Sequence, residues 1–400
     1  YIAPGEVGAL DRLGKATFSK IKEKVREKLL AIAQNIIAIA AKRELIDGKK
    51  MRELPLEYAN FRTQAGFEYT LDQKNAIEAI FSDLQSGKIM DRLLSGDVGF
   101  GKTEVAMNAI FMSYFSGFSS LFFVPTTLLS AQHFKTLKER LAPFKIPIFR
   151  YDRFTSAKEK SALKSALQSG LPLVCIGTHA LLSLGELNIQ NVGLIIIDEE
   201  HKFGVKQKEK LKEISLNSHL LSMSATPIPR SLNLALSSVK SYSSLLTPPI
   251  DRLDVKTFVK EWDNALIKEA IMREIRRGGQ VFYVHNHIAS IEQTKRELSA
   301  ILPNLRILIL HSKIDQKTTE DEMLNFIDKK YDVLLCTSIV ESGIHIPNAN
   351  TIIIDSANRF GIADLHQLRG RVGRSDRQGF CYFLIEDKNS LSKDSLKRLL

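Results

Sequence analysis

One stretch restricts the possible folds of this chain more than any other: Arg92 to Met107, RLLSGDVGFGKTEVAM. Gly96, Gly101, Lys102 and Thr103 stand in the G-x-x-x-x-G-K-[ST] spacing of a phosphate-binding P-loop. That loop needs a strand ending in a tight glycine turn that reopens as a helix. The local sequence complies. Asp91-Arg92-Leu93-Leu94-Ser95 reads as a short strand, and Glu104-Val105-Ala106-Met107 begins an amphipathic helix. Glycines let the backbone aim successive N–H groups at phosphate oxygens, and the helix opening at Lys102 adds the positive end of its dipole. The candidate nucleotide cradle is Gly96, Asp97, Val98, Gly99, Phe100, Gly101, Lys102, Thr103 and Glu104. Lys102 would reach the β- and γ-phosphates, and the Thr103 hydroxyl would bind Mg2+. The glycines at 96, 99 and 101 do not fit the G-x-G-x-x-G of a dinucleotide-binding fold.

Around this loop, Phe61 to Thr247 alternates strands and helices. Strands are expected at Ser120–Pro125, Ile148–Tyr151, Leu173–Thr178, Leu194–Asp198 and Leu220–Ala225. Continuous apolar runs between helical stretches indicate a parallel sheet covered on both faces. Thr247-Pro248-Pro249 marks a boundary, and Asp254 to Glu386 repeats the alternation. Its strands are expected at Val255–Val259, Val281–Val284, Ile307–Leu310, Val333–Cys336, Thr351–Ile354 and Cys381–Ile385. The second sheet has no P-loop, so two α/β lobes sharing one nucleotide site are expected. Upstream, Thr17 to about Asp47 predicts a long helix with apolar positions at Ile21, Val25, Leu29, Ile32, Ile36 and Ile39. The expected layout is a short segment (1–16), the helix (17–47), a linker (48–60), a first lobe (61–247) and a second lobe (248–400). The chain opens without Met in what reads as mid-domain sequence, so a fragment is expected.

The net charge of +11 suits a polyanionic partner. Residues 1–60, 61–245 and 246–400 contribute +4, +5 and +2, so a groove assembled from several segments fits better than a basic tail. Cys175, Cys336 and Cys381 are far apart and lie in apolar runs, as buried thiols of an intracellular protein would. The sequence has no run of 18 apolar residues, so no membrane partner is expected.

Leu194-Ile195-Ile196-Ile197 followed by Asp198-Glu199-Glu200-His201 puts an acidic cluster at the C-terminal end of a buried strand, where ligands of such sheets bind. Asp198 would complete the Mg2+ site and Glu199 would orient or deprotonate the attacking water. In the second lobe, Gln367-Leu368-Arg369-Gly370-Arg371-Val372-Gly373-Arg374 carries arginines three apart on one helical face. Arg371 and Arg374 are candidate arginine fingers.

The P-loop, DEEH, Ser224-Ala225-Thr226 and QxxGRxxR together resemble a superfamily-two helicase or translocase, with two RecA-like lobes. GDVGFGKTEVA, DEEHKFGV, SATPIPRSLNLAL and HQLRGRVGRS are similar to the bacterial transcription-repair coupling factors over about 340 residues. The fork-reversing RecG helicases share many of these strings but usually have Ser where this chain has Phe100. KEKVREKLLAIAQNIIAIAAKR is similar to the relay helix that joins the polymerase-interacting domain to the motor in that family.

The resemblance implies an ATP- and Mg2+-dependent motor on double-stranded DNA in the bacterial cytoplasm, with RNA polymerase and excision-repair proteins as partners of the whole protein. It places Phe67 and Gln73, in FEYTLDQ, at adenine, and Gln367 with the nucleotide. Thr126, Thr127, Thr178 and His179 in the first lobe, with Thr337 and Ser338 in the second, match motifs that touch the DNA backbone. Ser224 and Thr226 would couple the two sites. His285-Asn286-His287 reads as the second lobe's first interior motif. Three departures accompany the match: His345 stands where the family usually has Asp, Tyr1-Ile2-Ala3-Pro4 matches only the last strand of the polymerase-interacting domain, and Asp394 to Leu400 only begins the translocation hairpin. A fork-remodelling helicase core and a nucleotide-gated binding module without turnover stand as alternatives.

Overall fold

The computed structural model describes residues 45–187, 191–225, 240–249, 254–337, 346, 348–373 and 377–385, with residues 23, 41 and 43. The helix expected over 17–47 lies largely outside these; Glu23, Ala41 and Arg43 within it are helical. Thr226, Ser338, His345, Arg374 and the segment from 394 also lie outside the described residues.

The first lobe is a seven-stranded sheet of β1 (Asp91–Gly96), β2 (Ser119–Phe123), β3 (Ile148–Tyr151), β4 (Val174–Gly177), β5 (Val192–Asp198), β6 (His219–Ser224) and β7 (Ser241–Leu245). All pairs are parallel, in the order β3-β4-β2-β5-β6-β1-β7. Around it run α1 (Pro55–Thr63), α2 (Leu71–Gln85), α3 (Lys102–Phe115), α4 (Thr127–Leu141), α5 (Ala157–Gln168) and α6 (Val205–Ile214). Strand alternation splits the core by face: Leu194 and Ile196 join one cluster with Phe122 and Phe111, while Ile195 and Ile197 join another with Leu121 and Phe123. Both faces are covered, which is why these strands read as unbroken apolar runs.

The second lobe repeats the plan with β8 (Lys256–Glu261), β9 (Gln280–Val284), β10 (Ile307–Leu310), β11 (Val333–Cys336), β12 (Ala349–Ile354) and β13 (Phe380–Ile385). The parallel order is β10-β11-β9-β12-β13-β8, with α7 (Asn264–Arg276), α8 (Ile291–Ile301), α9 (Gln316–Ile327) and α10 (Ile362–Arg369) alongside. Both lobes are thus RecA-like α/β layers.

Two features were not foreseen. Ser241–Leu245 has no apolar run, yet it pairs with β1 as an edge strand, where half-exposed polar side chains cost little. The stretch from 48 to 60 is also woven into the first lobe. Met51 and Leu54 are buried in its core, Lys49 donates to the Val192 carbonyl at 2.6 Å, and α1 begins at Pro55. His219 fixes this stretch from below, accepting from the Met90 N–H at 3.0 Å on Nδ1 and donating from Nε2 to the Lys49 carbonyl at 2.8 Å. Burial holds its pKa below the usual histidine value, so the ring is neutral and fits one donor and one acceptor role.

Candidate nucleotide site and nucleic-acid cleft

Strand order explains why distant motifs meet. β1, β6 and β5 are neighbours, so the loops leaving their C-terminal ends lie side by side: the P-loop, Ser224-Ala225 and the acidic turn at Asp198-Glu199. A cavity of about 550 Å3 lies over them, lined by Val98, Gly99, Gly101, Lys102, Thr103, Asp198, Glu199 and Ala225. From α4, Leu129, Gln132, His133 and Thr136 close its side, one helical face at i, i+3, i+4 and i+7.

The loop has the geometry a phosphate cradle requires. Gly99 and Gly101 both have φ of 84°, which L side chains rarely adopt. At Gly96 a Cβ would come within 2.9 Å of the Leu245 Cβ on the neighbouring strand. Phe100 packs against the core beneath the loop, while Asp97 is exposed and accepts from the Val98 N–H at 2.7 Å. The Lys102 ammonium folds back over the loop, 2.5 Å from the Gly96 carbonyl and 3.1 Å from that of Asp97. Glu104 points the other way. Its buried carboxylate accepts from the Tyr69 hydroxyl at 2.6 Å and from Arg140 at 3.1 and 3.2 Å.

Gln73 is 3% exposed, and both ends of its carboxamide are engaged. Oε1 accepts from the Thr70 N–H as half of a capping box, and Nε2 donates to the Phe100 carbonyl at 3.0 Å, bracing the P-loop from below. Phe67 is half exposed, edge-on to Tyr69 at 5.7 Å, beside a cavity of about 670 Å3 lined also by Tyr58, Arg62 and Lys74.

The acidic turn is strained. Glu199 sits at φ 49°, ψ 54°, a left-handed conformation costing a non-glycine residue about 1–3 kcal/mol. Its N–H donates to the Met223 carbonyl at 3.0 Å, and its Oε1 accepts from the Ala225 N–H at 3.1 Å. The acidic turn is therefore tied to the β6 exit that holds Ser224. Asp198 accepts from His133 at 3.2 Å, a partner not foreseen because the two lie 65 positions apart. A Thr103 hydroxyl and one carboxylate, leaving room for phosphate and water oxygens, suit the hard octahedral Mg2+ ion.

From the second lobe, Arg371 is 5% exposed. Burial lowers its pKa, and the nearby negative charges of Glu199 and Asp97 oppose that shift, which places its guanidinium in the field of both the acidic turn and the P-loop. Gln367 is exposed on α10.

Thr126, Thr127, Thr178 and His179 line a second cleft, of about 440 Å3. Thr126 caps α4. The Thr127 hydroxyl donates to Glu320 on α9 of the other lobe, and Arg153 lies 3.2 Å from Glu320 and 3.3 Å from Asp321. Arg153 and Glu320 were not foreseen; neither stands at a motif spacing. Thr337 is buried at the exit of β11 and does not line this cleft. His285 is bridged at both nitrogens, to Asp355 at 2.7 Å and to the Ser290 hydroxyl at 2.8 Å.

Comparison with known proteins adds to this geometry. Residues 70–235 match the DEAD/DEAH box helicase family and residues 263–376 the helicase conserved C-terminal domain. The transcription-repair-coupling factor of Helicobacter pylori strain J99 is 60% identical over 390 residues, 98% of this chain and 39% of that protein. That of Haemophilus influenzae is 43% identical, covering 98% and 34%. The chain thus spans about one third to two fifths of the length of the curated relatives it matches. Among solved structures, RecG bound to a three-way DNA junction superposes with a TM-score of 0.79 at 35% identity, covering 96% of this chain and 51% of that one. The helicase MrfA bound to DNA and AMPPNP shares the fold, with a TM-score of 0.60 at 16% identity over 84% and 52%.

Proposed function

We propose that this chain, which belongs to the transcription-repair-coupling factors, forms the ATP-driven, double-stranded DNA translocase motor of such a protein. Its two matched domains are those of superfamily-two helicase ATPases. The observation that carries the reading is the single cavity that gathers Lys102 and Thr103 of the P-loop with Asp198 and Glu199, and that Ile327 of the second lobe also lines. Bound between the lobes, ATP would give them a common anionic centre and a reason to close.

In this reading the loop amides and Lys102 hold the phosphates, and Thr103 and Asp198 hold Mg2+, which screens phosphate charge. Glu199 orients the attacking water, its position coupled through the Ala225 N–H to the β6 exit. Arg371 and Arg374 offset charge that develops on the transferred phosphoryl group. Gln73 senses the nucleotide by bracing Phe100, and Phe67 offers adenine an aromatic edge. Thr126, Thr127, Thr178 and His179 hold backbone phosphates without reading bases, and Ser338 would be the second lobe's contact, Thr337 being buried away from this cleft. Lobe closure on ATP and reopening after hydrolysis would alternate these grips and move the motor along the duplex. RNA polymerase and excision-repair proteins, in the bacterial cytoplasm, are the partners this reading assigns to the whole protein. Residues 17–47 would then be the strut entering the motor.

Multiple-turnover phosphate release with linear duplex present tests the reading. Lys102→Ala and Glu199→Gln should each lower turnover by at least about a hundred-fold. Turnover unchanged in both would sink the assignment. The RecG likeness supports a second reading, a fork-remodelling core. Forked DNA stimulating turnover far above linear duplex would favour it.

A further inference from the structure

Away from the nucleotide cavity, four charged side chains from distant parts of the chain form a line across the first lobe. Arg43, 6% exposed, donates to Asp91 at 2.7 Å and to the Ser215 carbonyl at the end of α6, also at 2.7 Å. The Lys240 ammonium lies 3.4 Å from the other Asp91 oxygen and 3.5 Å from the Glu200 carboxylate. Glu200 also accepts from the Ser222 hydroxyl of β6 at 3.1 Å. Asp91 is the first residue of the P-loop strand, and Glu200 directly follows Glu199. None of the nucleotide or DNA contacts described above uses Lys240, Asp91 or Arg43.

Two features make this line more than packing. The Lys240 pairs are partly exposed, and an ion pair of that kind adds little to stability, so stability alone does not call for them. Its end point is also the strained turn, where Glu199 is held left-handed with its carboxylate on the Ala225 N–H. Drawing Glu200 onto Lys240 and Ser222 sends these neighbouring side chains in separate directions.

We propose that Lys240 is a positioning residue of the hydrolytic turn: it holds Glu200 so that Glu199 faces the nucleotide, and Asp91 with Arg43 sets where Lys240 stands. The inference rests on Glu199 being the residue that orients water.

The test is a double-mutant cycle on the whole chain, reading kcat and KM for ATP, affinity for a fluorescent ATP analogue, and Tm. Lys240→Met should lower kcat by about ten-fold or more with KM and analogue affinity nearly unchanged. Lys240→Arg should restore most of it. Glu200→Gln should lower kcat in the same way, and the double variant should be no worse than the worse single one, because the pair acts as a unit. Arg43→Met should act in the same direction. If Lys240→Met does not fold, the kcat and KM of Glu200→Gln decide. Unchanged kcat in Lys240→Met, losses that multiply in the double variant, or kcat falling only in step with Tm would each overturn the proposal. A wild-type chain without turnover, or one indifferent to Glu199→Gln, would instead overturn the reading beneath it.

Discussion

A single methyl group at position 101 would do two kinds of damage. Gly101 has φ of 84°, and a Cβ there would lie 2.4 Å from the Gln73 carboxamide nitrogen. Gly101→Ala should cost about 1–3 kcal/mol in backbone strain and also dislodge Gln73 from the Phe100 carbonyl. Urea unfolding should show the first effect, and weaker binding of a fluorescent ATP analogue the second. Gly87→Ala is the control: φ is 80° but nothing lies within 4 Å of the new Cβ, so stability should fall and nucleotide affinity should not. The thiols make a second prediction at this scale. Cys175, Cys336 and Cys381 are buried and unbridged. Burial pushes Cys336 and Cys381 up to about 12. Raised thiol pKa values favour the folded state while the thiols are neutral. That stability is complete below the unfolded pKa of about 8.5 and is lost as pH climbs towards the folded value. Urea midpoints should therefore fall from about pH 9 upward, and thiol reagents at pH 8 should label all three only after unfolding.

At the scale of elements, helix ends carry much of the site. Thr70 and Gln73 form the capping box of α2, and Gln73 also braces the P-loop. Thr70→Ala should cost about 1 kcal/mol and weaken nucleotide binding through the freed Gln73. The other telling element is α9. Its Glu320 rests on Thr127 and Arg153, inside the cleft proposed for DNA phosphates, so an incoming phosphate must displace it. Glu320→Gln removes that competing charge and should tighten binding of a labelled duplex by about two- to five-fold, the range of a partly exposed ion pair. Arg153→Ala should weaken binding and reduce the slope of log K against log salt by about 0.9, one phosphate's share. Fluorescence anisotropy over a salt series reads both. No change in affinity or slope for either variant would separate this cleft from DNA binding.

At the scale of the whole molecule, legibility in the sequence followed burial and contiguity. Strands such as Leu194–Ile197 were plain because a parallel sheet is covered on both faces and each side chain must be apolar. Ser241–Leu245 was not, because an edge strand makes no such demand. The P-loop and the DEEH turn were legible because the chemistry proposed for them calls on adjacent backbone and side-chain groups, which impose a fixed spacing on one short stretch. The meeting of those stretches depended on strand order, which put β6 between β1 and β5 and so tied Glu199 to Ala225. Other partnerships needed the folded chain outright. His133 meets Asp198 across 65 positions, Arg43 meets Asp91 across 48, and Thr127 meets Glu320 across 193. A side chain recruited from so far away leaves no periodicity behind. Local chemistry is thus written along the chain, while the charges that aim it are placed only when two sheets and their helices pack.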